Sequence, residues 1–482
     1  MRPGSPVQYS TRSPNRQTRT YAAAAPQIGM KSGFHGCLRR DAAQVMLKPE
    51  NENCGSLSWS EDGFRGVLRI KSAGNGLKAM LVDFRTENHR SLRDEQGITF
   101  EAGSVDGDEL RLRSVAGTKL LPLAGVFGGN ASGKSNILSA IEFMREAVSH
   151  SYRVWPPDGG VPRDPFAWGP KRKEASLYQA TFILDGARHE YGFLVNDERV
   201  LEEWLVVVGA SMRPQKWFER EGDAPIKFGE HLKGENKTVE RLTRPNSLFL
   251  STAAQNNHAQ LTPVFRWLRN IHAESRREGA LRGAWADLQE GALEGTHAQL
   301  FREMLRAADV GIVDFKFTSS DGGPPVRGQK GKVQLRHRSS SPDAWLPLEE
   351  ESAGTQRLFR IGPLVINALA TGGVLLIDEL DAAFHPLLAI ALIRAFHDPR
   401  TNKRNAQLLF TTHDTTLLGN VIGEPVLRRD QVWLTEKDEE GATRLFPLTD
   451  FKPRKSENLE RGYLQGRYGA IPVLGSLASA EK

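Results

Sequence analysis

The stretch GGNASGKS, Gly128 to Ser135, decides the fold. It fits the pattern G-x-x-x-x-G-K-[ST]. Before it, LLPLAGVF (Leu120 to Phe127) is a mostly apolar run that predicts a buried strand. After it, KSNILSAIEFMREAV carries apolar residues at helical spacing. Strand, Gly-rich turn and helix form the context in which this pattern cradles phosphate. Glycines let backbone N–H groups close around phosphate oxygens, and the helix N-terminus adds partial positive charge. In that reading Gly128, Gly129, Asn130, Ala131, Ser132 and Gly133 wrap the phosphates of a nucleotide, and Asn136 follows in the first helical turn. Lys134 reaches the β- and γ-phosphates, and the Ser135 hydroxyl binds Mg²⁺.

Two further strand ends carry chemistry. GVLLIDELD places Asp378 and Glu379 after a wholly apolar run, Gly373 to Ile377, of the kind expected of a buried parallel strand. Ligands bind at such carboxyl ends in open α/β sheets. Asp378 is the expected second Mg²⁺ ligand, and Glu379 can orient and deprotonate an attacking water. AQLLFTT, Ala406 to Thr412, predicts another buried strand, and His413 follows it, suited to bonding a γ-phosphate and the attacking water. Upstream, ESAGTQRLF (Glu351 to Phe359) sets Ser352, Gly354 and Gln356 before an expected helix RLFRIGPLVINALA, which makes a second anion site. A chain with one phosphate loop has no use for a second site on the same nucleotide, so this one is expected to hold the γ-phosphate of a neighbour. Asp381 is expected to contact that neighbour.

The 482 residues allow roughly two to four domains. The net charge of +6 is carried by residues 1–79, where 12 basic residues face 5 acidic ones; the remainder holds 52 basic and 53 acidic residues. A near-neutral body does not argue for nucleic-acid binding by composition. No run of about 18 uncharged apolar residues is present, so no membrane span is expected. The two cysteines, Cys37 and Cys54, make neither a disulfide framework nor a zinc site, and a cytoplasmic location is expected.

Residues 1–79 lack sustained periodicity and are expected to be disordered or not translated, with order beginning at Met80 in the strand MLVDF. Residues 80–255 are expected to form an ATPase lobe with an antiparallel sheet, from the short strands LYQATFIL, EYGFLV, EWLVVV and KWFER. Residues 256–318 are expected to hold a helical insert and a return strand, and 319–425 the ESAGTQ, DELD and TTHD segments. Residues 426–482 are expected to supply C-terminal strands and a partner-binding tail. Within these segments, SSDGGPPVRGQKGK (Ser319 to Lys332) reads as a loop and PLLAIALIRAFH as a helix.

In this order the motifs resemble the ABC-type ATPases of the SMC and RecF-like branch: GGNASGKSN, then SAGTQ in place of a form like SGGQ, then LLIDELD and FTTHD. ENHRSL resembles that branch's opening NFRS, with His89 where Phe is usual. More narrowly, most of Met80 to Pro472 resembles the AAA15-type ATP-binding proteins, the AbiLi- and RloA-like group of phage-defence loci. That similarity extends to LFLSTAAQNN and to the tail LTDFKPRKSENLERGYLQGRYGAIP. The resemblance implies an α/β P-loop NTPase of the ABC-ATPase head type with an antiparallel β-subdomain and a short helical insert. It implies ATP and Mg²⁺ as cofactors and a homodimer or higher homo-oligomer formed through ATP. Each site would then combine Lys134, Ser135, Asp378, Glu379 and His413 of one subunit with Ser352 and Gly354 of the other. By resemblance alone, Gln255 is a candidate sensor of Mg²⁺ and water, and Arg90 a candidate phosphate contact.

The interval from Ser135 to Ser352 is too short for the long coiled coils of SMC proteins, and fewer than about seventy residues after His413 hold no nuclease arrangement. The resemblance therefore implies an effector in another protein, of the Toprim-like RloB type. The Arg, Lys and Tyr residues of the tail suit such a partner or a nucleic acid. Two alternatives stay open: a RecF-like DNA-repair ATPase, and a scaffold that binds ATP without turnover.

Overall fold

The computed structural model describes residues 79–103, 109–274, 296–308, 311–318, 332–382, 384–420, 423–454 and 457–471. The extension expected over 1–79 (Ala79 excepted), most of the loop expected over 319–332 and the end of the tail lie outside them.

A six-stranded sheet forms the centre, in the order β11 (His272–Ala273), β15 (Val374–Ile377), β16 (Gln407–Thr411), β5 (Leu123–Gly128), β17 (Val432–Lys437) and β18 (Thr443–Pro447). All its pairings are parallel except the last. It draws strands from all four segments expected after residue 79. A seven-stranded antiparallel sheet lies beside it. Its order is β10 (Lys227–Phe228), β9 (Pro214–Glu221), β8 (Val200–Val208), β7 (Ala187–Val195), β6 (Ser176–Leu184), β1 (Ala79–Glu87) and β2 (Gln96–Thr99). Two small sheets complete the strands: β3 (Arg113–Val115) with β4 (Thr118–Leu120), and β12 (Ile312–Thr318), β13 (Lys332–His337) and β14 (Trp345–Pro347). The helices are α1 (Lys134–His150), α2 (Asn236–Leu242), α3 (Phe249–Gln255), α4 (Leu261–Arg269), α5 (Thr296–Ala307), α6 (Ala353–Thr371), α7 (Pro386–His397) and α8 (Leu459–Leu464). No helix among the described residues is long and apolar enough to cross a membrane.

The central strands are apolar on both faces because both faces are covered. Leu123, Phe127, Leu375, Ile377, Leu408 and Phe410 pack with α5, α6 and α7. Their alternates Ala124, Val126, Val374, Leu376 and Leu409 pack with α1, α3, α4 and the antiparallel sheet. Gly125 is required by this packing: a Cβ there would lie 2.6 Å from Cζ of Phe410, its partner across the ladder.

Two expected boundaries move. The helical insert expected within 256–318 is interrupted by β11, whose two residues extend the parallel sheet beside β15. Helix α6 begins at Ala353, so Gly354 and Gln356 belong to its first turn rather than preceding it. The Ser352 hydroxyl accepts the Thr355 N–H at 3.1 Å, and this cap starts the helix earlier than its apolar pattern does.

Buried polar groups fasten the layers. Gln407, at the start of β16, accepts the Leu81 N–H at 2.6 Å and donates to the carbonyls of Leu81 (2.9 Å) and Leu121 (3.2 Å). It meets β1 where that strand's register against β6 shifts between Leu81 and Asp83, leaving backbone groups in need of partners. Glu203, fully buried on β8, accepts the N–H groups of Phe249 (2.6 Å) and Leu250 (3.0 Å) and the Tyr191 hydroxyl (3.0 Å), so it fixes the start of α3.

Gln407→Leu should therefore cost about 2–4 kcal/mol, because it leaves three backbone groups unpaired while keeping the volume. Denaturant unfolding checks this; a loss under about 1 kcal/mol would show that the carboxamide is dispensable. A second expectation concerns pH. Burial depresses His89 to about 3, aided by Arg90 and opposed by Asp164; burial likewise depresses His272 to about 4 and His397 to about 3. The ordinary value is 6.5, so the unfolded chain binds protons that the folded chain refuses between these values. Stability must fall as pH drops below 6.5, by up to about 1.4 kcal/mol per pH unit for each histidine. Unfolding free energies of His89→Gln at pH 7, 6 and 5 should show a slope shallower by about that much; an unchanged slope would contradict the assignment.

Candidate functional site

Parallel pairing brings three loops to one edge of the central sheet. β5 runs into the Gly-rich loop, β15 into Asp378 and Glu379, and β16, between them, into Thr412 and His413. Lys134 is buried, and its ammonium donates to the carbonyls of Gly128 and Gly129, both at 3.0 Å, and lies 3.4 Å from Nδ1 of His413. Burial pulls Lys134 below its usual pKa, while the carboxylates of Asp378, Glu379 and Asp381 pull it back up.

Asp378 Oδ1 is the meeting point. It accepts the Ser135 hydroxyl at 2.8 Å and the Thr411 hydroxyl at 2.7 Å. Thr411 Oγ1 also accepts the Glu379 N–H at 2.7 Å. Glu379 sits at φ 51°, a left-handed conformation that costs a non-glycine residue about 1–2 kcal/mol. That turn carries the chain away from the strand and leaves the carboxylate half-exposed beside the loop. Asp381 turns to its own chain, accepting the Thr412 hydroxyl (2.6 Å) and the His413 N–H (3.0 Å), and so sets the exposed His413.

The Gly-rich loop is buttressed by residues that sequence reasoning missed. Ser132 Oγ and Thr435 Oγ1 are 2.7 Å apart, and Thr443 Oγ1 donates to the Ser132 carbonyl at 2.8 Å. Ser91 joins Thr443 at 2.6 Å and accepts from Asn136 at 2.5 Å. At Gly133, φ 100°, a Cβ would collide with Thr443 Oγ1 and lie 2.8 Å from Ser91 Oγ. Asn130 and Ala131 form the exposed tip, with Ala131 at φ 61°. The sequence signals for these supports are weak: Thr435 and Thr443 are lone hydroxyls in strands some three hundred residues from the loop, and Ser91 sits in a turn 45 residues before Asn136.

The other candidates fall in separate places. Ser352 is exposed at the N-terminus of α6, and among the described residues its hydroxyl bonds only within that turn, to Thr355. Gln356 folds back to the carbonyls of Glu351 (2.9 Å) and Glu349 (3.2 Å). Gln255 is exposed at the end of α3 and shares no hydrogen bond with the phosphate-loop cluster. Arg90, at φ 50°, pairs with Asp164 at 3.1 Å and is half-exposed. His89 points inward, 2.9 Å from the Tyr178 hydroxyl and 3.1 Å from Ser139 Oγ on α1.

Arg90 and Ser91 line a cavity of about 470 Å³ together with Asp164, Trp168, Arg172 and Lys437. A second cavity, about 620 Å³, shares its Phe166, Trp168 and Gly441 walls and adds Arg93 and Lys171. The Phe166 and Trp168 rings are 4.8 Å apart. Because Ser91 bonds Asn136 and flanks Gly133, this cleft opens beside the start of α1.

Among the described residues no three His, Cys, Asp or Glu side chains form a cage for a metal. The hard oxygens of Ser135 and Asp378, already in contact, nevertheless suit Mg²⁺, which takes one or two protein ligands and completes its shell with water and substrate phosphates.

Comparison with curated proteins gave no match. Among solved structures, the chain is similar to the SMC head domain from Thermotoga maritima, at 11% identity over 76% of this chain and 98% of the other, with a TM-score of 0.34. It is similar to an Smc head bound to the C-terminal winged-helix domain of ScpA, at 12% identity over 76% and 97%, TM-score 0.38. It is also similar to an Smc head with an extended coiled coil bound to the C-terminal domain of ScpA, derived from Pyrococcus furiosus, at 12% identity over 77% and 97%, TM-score 0.36. Scores this low add nothing to the fold, which rests on the strand order: an α/β P-loop NTPase with an antiparallel sheet beside its parallel core. Residues 123–419, more than half of the chain, match the family model described as "AAA domain, putative AbiEii toxin, Type IV TA system". This chain belongs to that family of AAA ATPase domains.

Proposed function

We propose that this chain is an Mg²⁺-dependent ATPase that hydrolyses ATP to ADP and phosphate and pairs with a second copy of itself through the nucleotide. The observation that carries the reading is the convergence of Ser135 and Thr411 on Asp378 Oδ1 beside the Lys134 ammonium. The N–H groups of residues 128–135 would bind the phosphates, and Lys134 would exchange the Gly128 and Gly129 carbonyls for phosphate oxygens. Mg²⁺ held by Ser135 and Asp378 supplies charge neutralisation when bound. Glu379 takes a proton from the attacking water, and His413 orients that water and the γ-phosphate. Exposed Ser352, with Gly354, presents the N-terminus of α6 to a neighbour's phosphate; its lack of any bond to its own phosphate loop supports an action in trans. Such an arrangement is isologous and two-fold. Gln255 remains a candidate sensor on the same reading.

The nucleoside would occupy the cleft of Arg90, Phe166 and Trp168, which reaches the start of α1 through Ser91 and is large enough for a base and ribose. The AbiLi- and RloA-like resemblance and the family description's toxin–antitoxin wording support a biological role. It is the regulatory half of an antiphage, abortive-infection system in the cytoplasm, with a Toprim-like effector as partner. The tail offers Leu464 and Phe451, both exposed, for that contact.

Phosphate release by the full chain tests the chemistry. Wild type should turn over ATP. Lys134→Ala should not bind nucleotide. Glu379→Gln should bind ATP while turnover falls at least about 100-fold; full turnover in that variant overturns the base assignment. For the cleft, Trp168→Ala should raise KM for ATP about tenfold with kcat little changed, as expected for loss of one stacked base; an unmoved KM places the base elsewhere.

A further inference from the structure

We propose that Arg357 is a positioning residue that sets the Glu379 loop and couples it to the helix end bearing Ser352. The inference rests on the ATPase reading above for the meaning of Glu379 and Ser352, and on contacts that stand by themselves. Arg357 lies in α6 one turn beyond Ser352. One of its terminal nitrogens donates to the Ala382 carbonyl, the other to the Asp378 carbonyl. The second also pairs with Glu274 at 3.1 Å, just beyond β11, and Glu274 is approached by Arg360 at 3.8 Å. The guanidinium carbon lies 6.0 Å from the centre of the Phe384 ring.

Asp378 and Ala382 are the two ends of the turn that carries Glu379 in its left-handed conformation, and the Ala382 N–H closes that turn on the Glu379 carbonyl at 2.9 Å. The turn is held from β16 by Thr411, whose hydroxyl meets the Glu379 N–H and whose carbonyl meets the Leu380 N–H at 2.8 Å. Arg357 holds it from the opposite side. A planar fork can grip two carbonyls and a carboxylate at once; a lysine ammonium is a point charge and cannot reproduce that geometry. Strain at Glu379 persists only because its surroundings over-determine it. A phosphate captured at Ser352 pulls on the first turn of α6, and Arg357 carries that displacement to Glu379. Hydrolysis in one site thereby becomes sensitive to what the same chain's α6 holds in the other.

Arg357→Lys and Arg357→Ala in the full chain test this, with kcat, KM, ATP affinity in a Glu379→Gln background, thermal midpoint and amide exchange of residues 378–382 as readouts. The lysine variant keeps the charge and the Glu274 pairing, so it guards against loss of folding. Both variants should lose roughly 10- to 100-fold in kcat, as a group displaced by about 1 Å does, with ATP affinity within about twofold of wild type. Exchange across 378–382 should rise. Wild-type kcat in Arg357→Lys, or unchanged exchange, overturns the inference. A parallel fall of affinity, kcat and thermal midpoint in both variants also overturns it, since that marks a packing role. A wild type without turnover counts against the ATPase reading instead; the exchange measurement still decides the clamp.

Discussion

Parallel pairing of β16 with both β5 and β15 is the constraint on which the remainder depends. Strands that run the same way deliver their following loops to the same edge, so residues near positions 130, 380 and 413 become neighbours without any local sequence relation. The arrangement works only because both faces of these strands are covered by helices on one side and by α1 and the antiparallel sheet on the other. Gly125 and Gln407 are the marks of that closeness: one gives way to a phenyl ring, the other satisfies a strand irregularity across layers.

The candidate site is a strained, highly bonded turn beside a pre-shaped loop. Glu379 in a left-handed conformation and Ala131 at φ 61° are each unfavourable for an isolated chain, while φ 100° at Gly133 is open to glycine alone. They are held by Thr411, Thr443, Ser91 and Arg357. Preorganisation of this kind suits a site that must meet phosphate charge with fixed dipoles rather than with groups that reorganise. The two halves expected to meet across subunits are built differently. The phosphate loop is buttressed, with Ser132 and Lys134 buried beneath an exposed tip, while Ser352 is exposed at its helix end.

Much of this was legible in the sequence where an apolar run ends in a polar group. The ends of β5, β15 and β16 announced Lys134, Asp378 and His413 because a strand covered on both faces must be continuously apolar. The start of α6 was misread because Ser352, Gly354 and Gln356 weaken an apolar helical pattern, whereas a serine cap and Gln356's own backbone contacts favour the turn. β11 escaped because two residues at a sheet edge leave no periodicity. Thr435 and Thr443 escaped because their roles come from β17 pairing with β5 and β18 with β17, which no local pattern records; Ser91 lies within ENHRSL, but its partner Thr443 is 352 residues away. Arg357 opens the expected helix without any role assigned from the sequence; only the fold shows what its guanidinium reaches.

Whether two chains share each site is the central claim, and complementation tests it most directly. Lys134→Ala lacks a working phosphate loop but keeps Ser352; Ser352→Arg is the reverse, and on this account each is inactive alone. Mixed at equal concentration they form dimers in which one composite site is intact. ATP turnover should then return to between about a quarter of the wild-type rate, for random pairing in a two-fold dimer, and about half, where only mixed pairs form. Absence of any recovery at every mixing ratio, with both variants folded, would contradict the account, as would full activity of Ser352→Arg by itself.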